Sequence, residues 1–149
     1  MNLLRNSARL KQISLLLVLA GLAISVYLSY VKLADADVVC AAGGAINCEV
    51  VQNSVWSRLA GVDIALLGAL AWLVMGATLL LETRFESLAG HGGLLVFGIS
   101  LFGFLFSMWL IYVQGGILQA WCLWCLAHEL AMTLMFLASA ARLRLLLAI

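Results

Sequence analysis

A chain of 149 residues that is 66% hydrophobic and 10% charged, with a mean hydropathy of +1.16, is too apolar for an ordinary soluble domain, about half of which is apolar. Its net charge of +1 and the lack of any long basic run argue against nucleic acid or an acidic macromolecule as partner. The composition places the chain in a bilayer. The expectation is one domain over residues 1–149, an all-α membrane protein built as a four-transmembrane-helix bundle with an outer loop carrying a short amphipathic helix.

A helix that crosses about 30 Å of hydrocarbon needs roughly 20 mainly apolar residues, and residues 13–31, 64–81, 93–113 and 121–140 supply four such stretches. None alternates between polar and apolar residues as a barrel strand does. The first stretch follows Arg5, Arg9 and Lys11, and Ala34-Asp35-Ala36 resembles a signal-peptide cleavage site. A signal core is only about 7–15 residues long, however, and this uncharged stretch is longer and better suited to a span. Cytoplasmic ends carry excess Lys and Arg. Arg5, Arg9, Lys11, Arg84, Arg142 and Arg144 share one side, whereas Lys32 and Arg58 stand on the other. Both termini are therefore expected in the cytoplasm of a cell whose inner membrane the chain crosses. The outer loop 34–62 and residues 114–120 then lie outside, together with Cys40, Cys48, Cys122 and Cys125.

The outer loop is longer than most structureless connections, and such loops tend to be functional or disordered. Cys40 and Cys48 bracket Gly43-Gly44, a pliable segment whose thiols can change partners. Residues 54–59 read as the short amphipathic helix, with Val55, Trp56 and Leu59 facing the membrane and Gly61 suited to ending it. Ser54 is either the N-cap of that helix or a hydroxyl turned inward to a ligand. The chain contains no proline, which argues against a transporter built on broken helices. Gly68, Gly76, Gly98 and Gly103 read as close-packing points between helices.

Four cysteines allow three pairings, and one reading is a set of structural staples. Cys122-Leu123-Trp124-Cys125 argues for more, because positions i and i+3 share a helical face at the predicted start of the fourth span. A helix N-terminus favours thiolate over thiol, which makes a better nucleophile and leaving group. Zinc is the rival, since CxxC is half a tetrahedral site. His91 falls on the cytoplasmic side, however, and Cys40 and Cys48 form no second CxxC, so no metal site is expected. His128 and Glu129 are ionisable groups at membrane depth and hence functional candidates; both also have plain packing roles open to them.

These residues resemble the vitamin K epoxide reductase family. The likeness lies in the loop pair Cys40 and Cys48, Ser54 shortly after it, Gly61-Val62-Asp63-Ile64-Ala65-Leu66-Leu67-Gly68 entering the second span, and Cys122-Leu123-Trp124-Cys125 on the last helix. The resemblance implies a bundle around a quinone, of the ubiquinone, menaquinone or vitamin K type. Cys125 would face the quinone, Cys122 would exchange with the loop through Cys48, and Cys40 would meet a thioredoxin-fold partner outside the membrane. Ser54 and Glu129, one turn beyond Cys125, would contact the quinone. Asp63 stands near where bacterial relatives carry proline, and the chain ends soon after its fourth span, so a separate partner is expected to supply electrons.

The implied activity is a thiol:quinone oxidoreductase that reoxidises this partner and supports disulfide formation. A DsbB-type oxidase has similar parts but places its CxxC after the first span. A non-enzymatic membrane subunit or metal carrier with structural disulfides is the rival of a different class.

Overall fold

The computed structural model describes residues 2–41 and 43–147. Among these residues, four helices are long and apolar enough to cross a membrane. They are α1 (Asn2–Leu33), α3 (Ile64–Leu81), α4 (Glu86–Tyr112) and α5 (Leu123–Leu147). Proline-free apolar runs form helices here because the hydrocarbon core offers no water to backbone groups, which must bond within the segment. α1 and α4 extend beyond their apolar stretches, and α4 continues into a π-helical turn over Val113–Leu118. That turn ends at Gln119, which has a positive φ of 50°. Single-turn π segments of this kind are often found at functional sites.

α1 packs on α3 and α5, and α4 on α3 and α5. Between them lies a core of Val18, Trp72, Met75, Leu79, Val96 and Met135. Leu16, Leu19, Leu70, Phe102 and Leu105 are exposed on the outer surface, as expected for helices apolar on every face.

Close packing falls on three of the four expected glycines. A Cβ on Gly68, Gly76 or Gly103 would lie 3.2 Å from Ser25 Oγ, 2.9 Å from Val18 and 2.6 Å from Met132, respectively. Gly98 departs from the expectation: a Cβ there meets nothing within 4 Å, because this face of α4 is turned away from its neighbours. The tightest position is Gly21, where a Cβ would sit 2.1 Å from the Trp72 ring. At the same end of the bundle as the α3–α4 turn, Glu82 Oε1 ties together Lys11 at 2.9 Å and Arg142 at 2.6 Å.

At the other end, the loop after α1 carries α2 (Cys48–Gln52), capped by the Asn47 side chain, which accepts the Val50 N–H at 3.1 Å. The short outer helix is thus this one, placed earlier than expected. Residues 54–59 instead form a 3₁₀ turn over Val55–Ser57 and then β1 (Arg58–Leu59), paired antiparallel with β2 (Val62–Asp63). Ala60 and Gly61 link the strands with φ of 51° and 85°. Positive φ at both central residues matches the twist of a two-residue hairpin, so Gly61 serves a turn and not a helix end. Asp63 closes the hairpin, pairing with Arg58 at 3.2 Å and with Lys32 of α1 at 3.0 Å.

Candidate active site

Local structure brings the four cysteines into one cluster. Cys40 and Cys48 form a disulfide, while Cys122 and Cys125 are free thiols. Cys48, Val51, Ala120 and Cys122 are buried together, with Cys40, Trp124 and Cys125 packed against them. The loop is held on both sides of its disulfide. Before Cys40, the Val39 N–H donates to Tyr27 Oη at 3.0 Å, and Trp124 Nε1 donates to the Val39 carbonyl at 2.7 Å. Before Cys48, the Asn47 N–H donates to the Trp121 carbonyl at 2.9 Å, and the Trp121 N–H to the Ala45 carbonyl at 2.8 Å. A segment expected to be pliable is therefore docked on the CxxC, and its glycines serve the turn between Gly43 and Ile46.

Cys122 stands at the N-terminus of α5. Its carbonyl accepts the Leu126 N–H at 2.9 Å, and its Sγ accepts the Cys125 N–H at 3.4 Å, the pattern of an N-cap. The Cys122 N–H in turn donates to Gln114 Oε1 at 3.0 Å, and Gln114 Nε2 donates to Glu129 Oε1 at 3.0 Å. Gln114 belongs to the π-helical turn, so this irregularity joins the start of α5 to the carboxyl one turn beyond Cys125.

Beneath α2, a cavity is walled mainly by apolar side chains such as Leu28, Ile64, Leu110 and Val113, and Cys125 and Glu129 border it. Ser25 Oγ and Glu129 Oε2 are buried, and neither has a hydrogen-bond partner among the described residues. Both residues line this cavity. Unpaired buried polar atoms cost free energy unless a ligand or water completes them. An apolar ring bearing carbonyl oxygens suits such a lining: the walls would cover the ring, and the residues that bear the two unpaired atoms border the space its polar groups would take.

Ser54 also lines the cavity, but its Oγ donates to the Val51 carbonyl at 2.8 Å. It stands before the 3₁₀ turn without capping it through its side chain. His128 Nε2 accepts from Trp72 Nε1 at 2.9 Å, which makes Nε2 the unprotonated nitrogen of that ring. Among the described residues, no group of three or more His, Cys, Asp and Glu is arranged to hold a metal ion. Sequence reading missed Gln52, Gln114 and Ser25. Polar residues in or beside apolar spans are the signal that marks Gln114 and Ser25, whereas Gln52 sits in a polar loop where nothing distinguishes it.

Residues 12–140 match the model of one protein family, the vitamin K epoxide reductase family. The chain belongs to the vitamin K epoxide reductase family. The matched region takes in both cysteine pairs, the hairpin, the π-helical turn and Glu129. Membership makes the chain a multi-pass membrane protein and an oxidoreductase, in a family whose enzymes use quinones. The resemblance drawn from Cys40 and Cys48, Ser54, residues 61–68 and the CxxC is thus borne out over most of the chain.

Proposed function

We propose that this single transmembrane domain reoxidises a separate thioredoxin-fold protein outside the inner membrane and passes the electrons to a quinone, supporting disulfide formation. The observation that carries this reading is the arrangement of sulfurs. A disulfide is packed against a dithiol, and Cys125 of that dithiol borders an apolar cavity lined by residues with unpaired polar atoms.

In the proposed sequence, a partner thiolate attacks Cys40, forming a mixed disulfide and releasing Cys48 as a thiolate. The partner's second thiolate resolves that bond, leaving Cys40 and Cys48 reduced and the partner oxidised. Cys48 then displaces Cys125 from a Cys122–Cys125 disulfide, and the electron pair leaves on Cys125 Sγ. Cys40 attacks Cys48, which restores the loop disulfide and frees Cys122. Each exchange needs a deprotonated attacker and a sulfur within reach. The pairing reached at this point, loop disulfide and CxxC dithiol, is the one present in the structure. A bound quinone supplies the acceptor for two electrons and two protons. Cys125 lies at the cavity for that transfer, Glu129 Oε2 is placed to hold or move a proton there, and Cys122 closes on Cys125 to reform the disulfide.

Charge supports the orientation. Arg5, Arg9, Lys11, Arg84, Arg142 and Arg144 lie toward the Glu82 end, while Lys32 and Arg58 at the cysteine end are paired with Asp63. By the positive-inside rule, this distribution supports an orientation with the cysteines on the outer side.

The test mixes the purified protein with a reduced thioredoxin-fold protein and a quinone and follows quinone absorbance. Wild type is expected to reduce quinone and Cys125→Ala to lose that activity. Reduction that persists in Cys125→Ala, or none by folded wild type, would overturn the proposal.

A further inference from the structure

We infer that Gln52 is a positioning residue for the thiol pair, its side-chain amide holding the sulfur of Cys125 from the last residue of α2. The inference rests on the reading of Cys122 and Cys125 as a redox pair and adds to it the group that receives the departing sulfur.

Gln52 Nε2 lies 3.3 Å from Cys125 Sγ and 3.9 Å from Cys122 Sγ. The backbone of Gln52 is also fixed, because its carbonyl accepts from Lys32 Nζ at 2.8 Å, and Lys32 is ion-paired with Asp63. The amide is thus anchored on the helix-and-hairpin side and reaches across to α5. A neutral thiol is a weak acceptor, whereas hydrogen bonds to an ionised acceptor are about twice as strong as neutral ones. Donors converge on this pair of sulfurs: the Gln52 amide on both and the Cys125 N–H on Cys122. Such a set is matched to negative sulfur. Water cannot serve that purpose well at the edge of an apolar cavity, and a fixed donor needs no reorganisation at the moment of reaction.

The position of Gln52 on α2 adds a second point. Cys48 and Gln52 are the first and last residues of this helix, four apart, and residues at that spacing share a face. When Cys48 displaces Cys125 from Cys122, the Cys48–Cys122 bond forms, the Cys122–Cys125 bond breaks, and the electron pair goes to Cys125 Sγ. The helix that delivers the attacking sulfur carries at its other end the amide that meets the leaving one.

Removing the donor should destabilise the reduced pair relative to its disulfide. Gln52→Met keeps the length of the side chain and loses the N–H groups, and Gln52→Ala removes both. The full-length protein would be equilibrated in dithiothreitol buffers of graded potential, with alkylation of Cys122 and Cys125 read by mass spectrometry and the Cys40–Cys48 disulfide checked in the same digest. Both variants are expected to lower the equilibrium constant for reduction of the pair about tenfold, or about 30 mV. In turnover, kcat should fall. An unchanged constant in Gln52→Met would overturn the inference even if Gln52→Ala shifts it, since that pattern marks Gln52 as packing for α2. Wild type that reduces no quinone would contradict the proposed function and leave the potential comparison to decide the hydrogen bond alone.

Discussion

Asp63 occupies the junction between the hairpin and the second span, where its carboxylate joins Lys32 of α1 to Arg58 of β1. Burial works to raise its pKa, but the hydrogen bonds and charges of Lys32 and Arg58 outweigh this and hold it below the ordinary 3.8. A depressed folded value means the contribution is complete above the unfolded pKa and is lost as pH falls through the folded one. Protection against hydrogen exchange at Arg58–Asp63, relative to the intrinsic rate at each pH, should therefore hold from neutral pH down to that ordinary value and fall below it. Asp63→Asn should lower that protection at neutral pH by at most about fivefold, a local cost of at most about 1 kcal/mol. A second residue, Trp72, fills the core while its Nε1 donates to His128. Trp72→Phe leaves that nitrogen of His128 without its donor and vacates part of the core, so thermal unfolding should show a loss of about 1–3 kcal/mol.

Helix contacts make separable predictions because each close approach is set by one position. Gly21→Ala forces a Cβ into the Trp72 ring and should destabilise the bundle by about 1–3 kcal/mol. Gly98→Ala meets open space and should be neutral or stabilising by up to about 1 kcal/mol through helix propensity. Melting the two variants in the same detergent checks both. Span positions were readable in the sequence because hydropathy is a local property, and residues 64–81 coincide with α3 end to end. Gly21 and Gly98 were not separable that way, since a glycine's neighbour lies on another helix and leaves no local trace. The first strand of the hairpin falls inside the helix expected over residues 54–59 for a related reason: each strand is two residues long, too short for a period to show. Gln52 reaches Cys125 across 73 positions of sequence, and only the fold brings them together.

Across the whole molecule, the two ends hold different chemistry. Glu82 binds Lys11 and Arg142 at the end away from the sulfurs. Glu82→Ala leaves the buried Arg142 unpaired and should cost about 3–5 kcal/mol, measured by unfolding, without altering the potential of the Cys122–Cys125 pair in the protein that remains folded. The CxxC was legible from its spacing and the loop pair through the family resemblance, but the cavity was not, because α1, α2, α3, α4 and α5 each contribute to its lining and no stretch of sequence contains it. The central claim is that this cavity receives a quinone beside Cys125, and a structure of the protein with quinone bound tests it most directly. The account predicts the ring in the cavity against Cys125 Sγ, with an oxygen on Glu129 Oε2. A ring bound elsewhere, with Cys125 closed in by protein or lipid, would contradict it.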